Sequence, residues 1–375
     1  MDYKELKKQN GQRIESYRAA DDGGVDFFPK YMQIEMTNRC NANCIMCNHF
    51  YLDNKGASDI SDTIMNRLDS ILPYCETVML NGDGEPFLCS HIIKIIDTLV
   101  GYDIQIGTNT NLSYIPEKMW DILEHNFRFL NISCDGATKN TYELIRRGLS
   151  YSKFIANLER LNRLAPNLKK NFDCVVMKQN IKELPLIVEL ASQYGVSCVK
   201  FQRLGINPCI GNDSDSPELY FSLLCEMLDK AIEVGRKCGI EVKCPNFSKK
   251  GDFLLDVGVF ESEITCRLEQ SRKKYGCLSL ADDYYSEMVE ESDFTKEQWY
   301  AGKACQWAIE RCYIDLKGNI TTCCYNMKKY MGNLLDTTFE DIWNGEQYRT
   351  LRKLMVEKKL PNFCKQCNWI KEAEF

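Results

Sequence analysis

Tyr31-Met32-Gln33-Ile34-Glu35-Met36-Thr37 is followed after two residues by Cys40-Asn41-Ala42-Asn43-Cys44-Ile45-Met46-Cys47, so a run of strand character opens into a loop carrying three thiols. The same strand character, with apolar and β-branched residues bounded by turn formers, recurs at Thr77–Asn81, Ile104–Thr108, Phe127–Ser133, Phe172–Met177 and Val196–Gln202. Between these runs, apolar residues fall three and four apart over Ser61–Leu72, His91–Val100, Pro116–Leu123, Lys139–Arg146, Tyr151–Leu164 and Lys182–Tyr194, the spacing of one helix face. Strict strand–helix alternation predicts an α/β chain with a parallel sheet covered by helices. Six units are too few for a closed eightfold barrel, so the expected fold is a partial, open (β/α)6 TIM-like barrel. Its functional end is expected at the carboxyl ends of the strands, where the three-cysteine loop lies.

The pattern divides the chain into an N-terminal extension at 1–30, a barrel at 31–244, a linker or lid at 245–302 and a small cysteine-bearing domain at 303–375. A seventh unit, a helix over Pro217–Lys237 leading into Ile240–Cys244, would end the barrel. In the tail, Tyr313–Leu316 and Asn319–Thr322 flank Lys317-Gly318 as a hairpin, and Thr338–Met355 reads as one amphipathic helix.

A net charge of -6 argues against nucleic acid as the main partner, since phosphate backbones demand a surplus of Lys and Arg. The polar opening stretch Met1–Gly24 resembles neither a signal peptide nor a spanning segment, so a cytoplasmic protein without a membrane partner is expected. In a reducing cytosol, 20 cysteines are not a disulfide framework, and their spacing becomes the question.

Three cysteines from one short loop can wrap one metal centre. Iron–sulfur cubanes normally take four thiolates, so three would leave one iron open to a non-protein ligand. A zinc site completed by His49, or three packed thiols without metal, are the alternatives.

The Cys40, Cys44, Cys47 spacing after the first strand resembles the radical S-adenosylmethionine superfamily, whose signature is a Cys-x3-Cys-x2-Cys loop at that place in a partial barrel. The resemblance implies a 4Fe–4S cluster whose open iron chelates S-adenosylmethionine, and a 5′-deoxyadenosyl radical that takes a substrate hydrogen. Met46 stands where the family usually has an aromatic residue, which implies a packing role against adenine. Asn81-Gly82-Asp83-Gly84-Glu85-Pro86 resembles the family's Gly-Gly-Glu-Pro motif with Asp83 in place of the first glycine. There Gly84 lets the backbone approach a ligand, and Glu85 could accept from the ammonium of the cosubstrate. By resemblance Asn109 and Ser133 lie near the ribose, although both also suit ordinary turns. Thr141–Arg146 resembles a segment whose arginine approaches the methionine carboxylate, against the plainer reading of a cation at a helix end. Gln202 could contact adenine from the end of the sixth strand.

In the tail, Cys305, Cys323, Cys364 and Cys367 resemble the SPASM/twitch extensions of the superfamily, which implies a second, auxiliary 4Fe–4S cluster; a zinc site from the same four thiols is the alternative. Cys323 is chosen over Cys324 because neighbouring strand residues point to opposite faces, and Cys312 has no place in the pattern. Cys75, Cys174, Cys198 and Cys225 read as core residues, while Cys209, Cys244, Cys266 and Cys277 fall in less regular segments, where one could donate a hydrogen atom.

A cluster held by four protein thiols suits electron transfer, which favours net oxidation; the resemblance to single-cluster twitch members implies a small polar metabolite such as a sugar or aminocyclitol as substrate, with a flavodoxin or ferredoxin as electron donor. Radical modification of a ribosomal peptide is the second reading, and a non-catalytic zinc-binding protein the third. Asp83 and Asp135, both at strand ends, are the candidate bases.

Overall fold

Every parallel strand foreseen is present, the seventh at Ile240–Cys244 included, and one more, β9 (Arg311–Ile314), joins them. The computed structural model describes residues 2–17, 23–47, 49, 56, 58–205, 212–245, 247, 288–291, 306–323, 330–356 and 359–361. Along the sheet, β1 (Tyr31–Ile34), β2 (Thr77–Leu80), β3 (Gln105–Thr110), β4 (Phe127–Ser133), β5 (Lys169–Val175), β6 (Cys198–Gln202) and β7 (Glu241–Lys243) lie in chain order and run parallel. β8 (Met288–Glu291) lies in a separate ladder with β12 (Lys359–Pro361). β9 (Arg311–Ile314) lies parallel to β1, with Met32 opposite Cys312 and Ile34 opposite Ile314, so the C-terminal region extends the barrel sheet from the other side. β10 (Asn319–Thr321) and β11 (Gly332–Asn333) then continue it antiparallel. Cys312, without a place in the ligand pattern, is a buried core residue of β9.

The helices form where apolar spacing and caps agree. α3 (Ile92–Gly101) buries Ile92, Ile95, Ile96 and Leu99. In α6 (Tyr151–Leu164) the side chain of Ser150 caps the Lys153 amide while Phe154, Leu158 and Leu161 face the sheet. α8 (Phe221–Cys238) stops at Gly239, whose φ of 72° is left-handed. Two helical expectations need correction. The stretch Ser61–Leu72 forms only a short helix, Asp62–Asn66, and continues as tight turns with bonds three residues apart, such as Leu68 N–H to Met65 O. Thr338–Met355 is two helices, α9 (Phe339–Trp343) and α10 (Glu346–Val356), broken at Asn344-Gly345, a helix-ending pair, where the Asn344 side chain accepts the amide of Val25 at 2.9 Å.

That break seats the C-terminal helices on the N-terminal segment. Trp343, fully buried, donates from its indole to Phe27 O at 2.9 Å, and the buried Arg352 donates to Ala308 O and Trp343 O. The N-terminal segment and helices α9 and α10 thus share one core with the barrel.

At the junction, Glu35 follows β1 and is 5% exposed; its carboxylate accepts from the amides of Asp83 at 3.2 Å and Leu316 at 3.1 Å. Burial pushes this carboxyl up to about 7, with Asp83 adding to the shift. A carboxyl raised in the folded state favours folding while protonated, and that contribution fades as pH climbs from the ordinary glutamate value towards 7. Glu35→Gln should therefore gain on the wild type as pH rises: the difference in Tm between variant and wild type increases from pH 5 to pH 8. A difference independent of pH would refute the assignment.

Candidate active site

The loop carrying Cys40, Cys44 and Cys47 is held by its neighbours rather than by its own hydrogen bonds alone. The Asn43 amide donates to Arg147 O at 2.7 Å and the Ile45 amide to Ile145 O at 3.0 Å, at the end of α5 (Lys139–Ile145). Asn41 donates to Ser113 Oγ at 2.7 Å and accepts from Asn111 Nδ2 at 3.0 Å, tying the loop to the segment after β3. Where the loop begins, Arg39 pairs with Asp59, whose carboxylate also takes the amide and hydroxyl of Ser90. Asn41, Asn111, Ser113, Arg39 and Asp59 carry no sequence signal as a set, because the contacts join distant segments.

Glu85 and Gly84 sit against this loop. A Cβ on Gly84 would lie 2.3 Å from Thr37 O and 2.6 Å from Arg39 O, so only glycine lets the strand-β2 turn pack on the loop's backbone. Glu85 donates its amide to Arg39 O at 2.8 Å, and its 3%-exposed carboxylate accepts from Thr110 Oγ1 at 2.7 Å and the Asn111 amide at 2.8 Å. Burial pushes the Glu85 carboxyl up to about 7. These bonds fix the orientation of the carboxylate and take one lone pair on each oxygen, leaving further acceptor positions on both.

Arg146 was expected at a ligand carboxylate. In the structure its Nε pairs with Asp135, and its Nη1 lies 3.8 Å from Cys44 Sγ. Burial alone would pull the guanidinium down, but the Asp135 carboxylate and the Cys44 thiol outweigh it and hold Arg146 above its ordinary value. Asp135 is completely buried, and its second oxygen accepts the Val175 amide at 2.7 Å. With both oxygens engaged it is a structural partner of Arg146, which corrects its listing among candidate bases. Burial raises the Asp83 carboxyl, and Asp315 adds to the rise.

Met46 and Ile45 pack with Ile145, Met177 and Leu204, forming an apolar patch above β5 and β6. Asn109 accepts from Asn131 Nδ2 at 2.8 Å on the inner face of the sheet, Ser133 ends β4, and the exposed Gln202 ends β6. Cys323 follows β10 and is half-buried. Cys305, Cys364 and Cys367, expected to join it, lie outside the described residues, as do Cys209, Cys266 and Cys277. Cys75, Cys174 and Cys198 are buried.

The donor set fits an iron–sulfur cubane better than a single zinc ion. Among the described residues, Asp59, Cys89 and His91 form the one group of metal-type side chains whose ligand atoms all lie within 4.8 Å of one another. Neither the three loop thiols nor any set of them with His49 is so compact, whereas tetrahedral zinc places its ligands roughly 4 Å apart. Burial pushes Cys40 up to about 11 and raises Cys44 and Cys47 as well, so loading a metal centre here displaces protons. No described helix is long and apolar enough to cross a membrane.

Comparison with known proteins agrees with this geometry. Residues 34–191 match the model of the radical SAM superfamily, and residues 305–368 match an iron–sulfur cluster-binding domain of the SPASM type. The chain is 22% identical over 352 residues to the AdoMet-dependent heme synthase of Methanosarcina barkeri, covering 92% of this chain and 89% of that one. Among solved structures, Streptococcus suis SuiB bound to the precursor peptide SuiA superposes with a TM-score of 0.64 at 13% identity, covering 97% of this chain and 74% of SuiB. anSMEcpe with bound AdoMet and the Cp18Cys peptide gives 0.57 at 18% identity, covering 92% and 88%. Both likenesses concern the fold. The two domain matches imply S-adenosylmethionine and 4Fe–4S clusters as cofactors, and the chain is a radical enzyme of the S-adenosylmethionine superfamily with a SPASM domain at its C-terminal end.

Proposed function

We propose that this enzyme modifies a residue of a ribosomally made peptide by hydrogen abstraction, with Cys40, Cys44 and Cys47 holding the cluster that activates S-adenosylmethionine. When bound, cluster and cosubstrate supply a 5′-deoxyadenosyl radical. Gly84 and the Glu85 amide keep the β2 turn against the cysteine loop, and Arg146 keeps positive charge beside Cys44. Cys305, Cys323, Cys364 and Cys367 would hold an auxiliary cluster, which would supply an acceptor for the electron that the substrate radical gives up together with a proton, so that the substrate loses two hydrogens overall; a flavodoxin or ferredoxin would reduce the cluster held by Cys40, Cys44 and Cys47.

What carries the peptide reading above the small-metabolite one is that SuiB and anSMEcpe, which share the fold across nearly the whole chain, have peptides in their structures. Oxidation of a sugar or aminocyclitol, placed first on the cysteine count alone, has no comparable support. A small-molecule substrate of another kind is the second reading, favoured by the end-to-end match to the heme synthase.

The test is selection of an mRNA-displayed random peptide library by the reconstituted holoenzyme, then synthesis of the enriched peptides. Support consists of peptides that raise 5′-deoxyadenosine above the uncoupled rate and lose two hydrogen atoms by mass. Stimulation by a porphyrin precursor and by no peptide would reverse the two readings.

A further inference from the structure

The inner face of the sheet is polar to an unusual depth. At its base Phe129 and Met79 close over Gly107, where a Cβ would lie 2.5 Å from the phenyl ring and 2.7 Å from the thioether. Above this apolar floor, the register aligns Asn109 of β3, Asn131 of β4 and Asn171 of β5, and the three are bonded in series. Asn131 donates to Asn109 at 2.8 Å, and Asn171 donates to Asn131 Oδ1 at 3.0 Å. One step nearer the cysteine loop, Ser133, Asp173 and Lys200 align in the next layer. Lys200 Nζ donates to Asn131 Oδ1 at 2.9 Å and lies 3.7 Å from Asp173 Oδ1. Its side chain keeps 31% exposure although β6 is an interior strand of the sheet, so the inner face is open to solvent there.

This constellation is incomplete as it stands. Asn171 is only 4% exposed, yet its Oδ1 has no hydrogen-bond donor, and the buried Asn81 Oδ1 also lacks one, while Asp173 Oδ1 has only the Lys200 ammonium at 3.7 Å, beyond hydrogen-bond length. An unmet buried acceptor costs about 1–3 kcal/mol, so a ligand or water is required. The groups that could supply donors differ in kind. A carboxylate offers none, an ammonium or guanidinium could pair with Asp173 but has no acceptor for Lys200, and a hydroxyl has a single proton. A primary carboxamide is neutral, gives two N–H donors and has a carbonyl to accept from Lys200.

Resting on the peptide reading above, we propose that the barrel interior is a specificity site for the carboxamide of an Asn or Gln side chain in the substrate. Its N–H groups go to Asn171 Oδ1 and Asp173 Oδ1, and its carbonyl to Lys200 Nζ. The site lies below the cysteine loop and uses none of its residues.

The displayed peptide library tests this with three forms of the holoenzyme: wild type, Lys200→Met and Lys200→Arg. Wild type should enrich Asn or Gln at one fixed position. Lys200→Met should lose that preference by about tenfold or more, the worth of one or two buried hydrogen bonds, and Lys200→Arg should keep most of it. S-adenosylmethionine binding, measured calorimetrically on each form, shows whether the barrel is intact; if Lys200→Met fails that check, Asn171→Leu takes its place, with the same loss of preference expected. Enriched peptides without an Asn or Gln preference, or a preference that Lys200→Met leaves unchanged, would overturn the carboxamide site, leave the peptide reading standing and assign the orphan acceptors to ordered water. No enriched peptide from a holoenzyme that binds S-adenosylmethionine would overturn both.

Discussion

Replacing Cys40, Cys44 and Cys47 together by alanine is expected to abolish 5′-deoxyadenosine formation while removing about half of the iron and acid-labile sulfide, from about eight irons per chain to about four. The expectation follows from where the thiols stand. They occupy one loop at the carboxyl end of β1, and backbone bonds from residues 43 and 45 anchor it to the end of α5. Their substitution removes ligands without removing the bonds that shape the loop. The fold should therefore persist, with a circular-dichroism spectrum like that of wild type. The remaining iron belongs to the C-terminal cysteines, so a variant that keeps eight irons, or one that loses all of them, contradicts the assignment of two separate ligand sets.

Asp135→Ala should cost about 3–5 kcal/mol, because it leaves the guanidinium of Arg146 buried without its counter-charge. The Arg146 side chain is 11% exposed and Asp135 not at all, so water can replace the carboxylate only poorly. The Val175 amide, which donates to the same carboxylate, loses its acceptor as well. Asp135→Asn should fall between, since an amide oxygen still accepts one of these bonds but carries no charge. Denaturant unfolding of the iron-free proteins measures both, and a loss below about 0.5 kcal/mol for the alanine variant would refute the buried pair. In the reconstituted Asp135→Ala protein Arg146 is freed to move from Cys44, and the reduction potential of the loop cluster should shift, a change that lost stability alone would not produce.

How far the sequence could be read depended on whether a feature was local. Buried parallel strands are short apolar runs and the helices between them are periodic, so β1 to β6 stood out, and the three-cysteine loop is contiguous. β9 was placed as half of a hairpin, but its pairing with β1 joins opposite ends of the chain and leaves no local trace. The break between α9 and α10 has a local sign in Asn344-Gly345, which the apolar spacing across it overrides. The site shows the same division. Gly84 and Glu85 are visible as a turn motif, whereas the partners that orient the Glu85 carboxylate, Thr110 and the Asn111 amide, come from another strand. Arg146 was read as a clamp for a ligand carboxylate because guanidinium forks suit that task, and the carboxylate it meets is Asp135. The asparagines of the inner face fall on separate strands, where each alone is an unremarkable polar residue and only the sheet register brings them together.

The central claim is that the loop thiols leave one iron open and that S-adenosylmethionine occupies it. The direct measurement is electron–nuclear double resonance on the reduced holoenzyme with S-adenosylmethionine carrying nitrogen-15 in its amino group. The account predicts a nitrogen hyperfine coupling in the wild type and none in the Cys40/Cys44/Cys47→Ala variant. A reduced loop cluster whose spectrum shows no coupling to the labelled amine would contradict it.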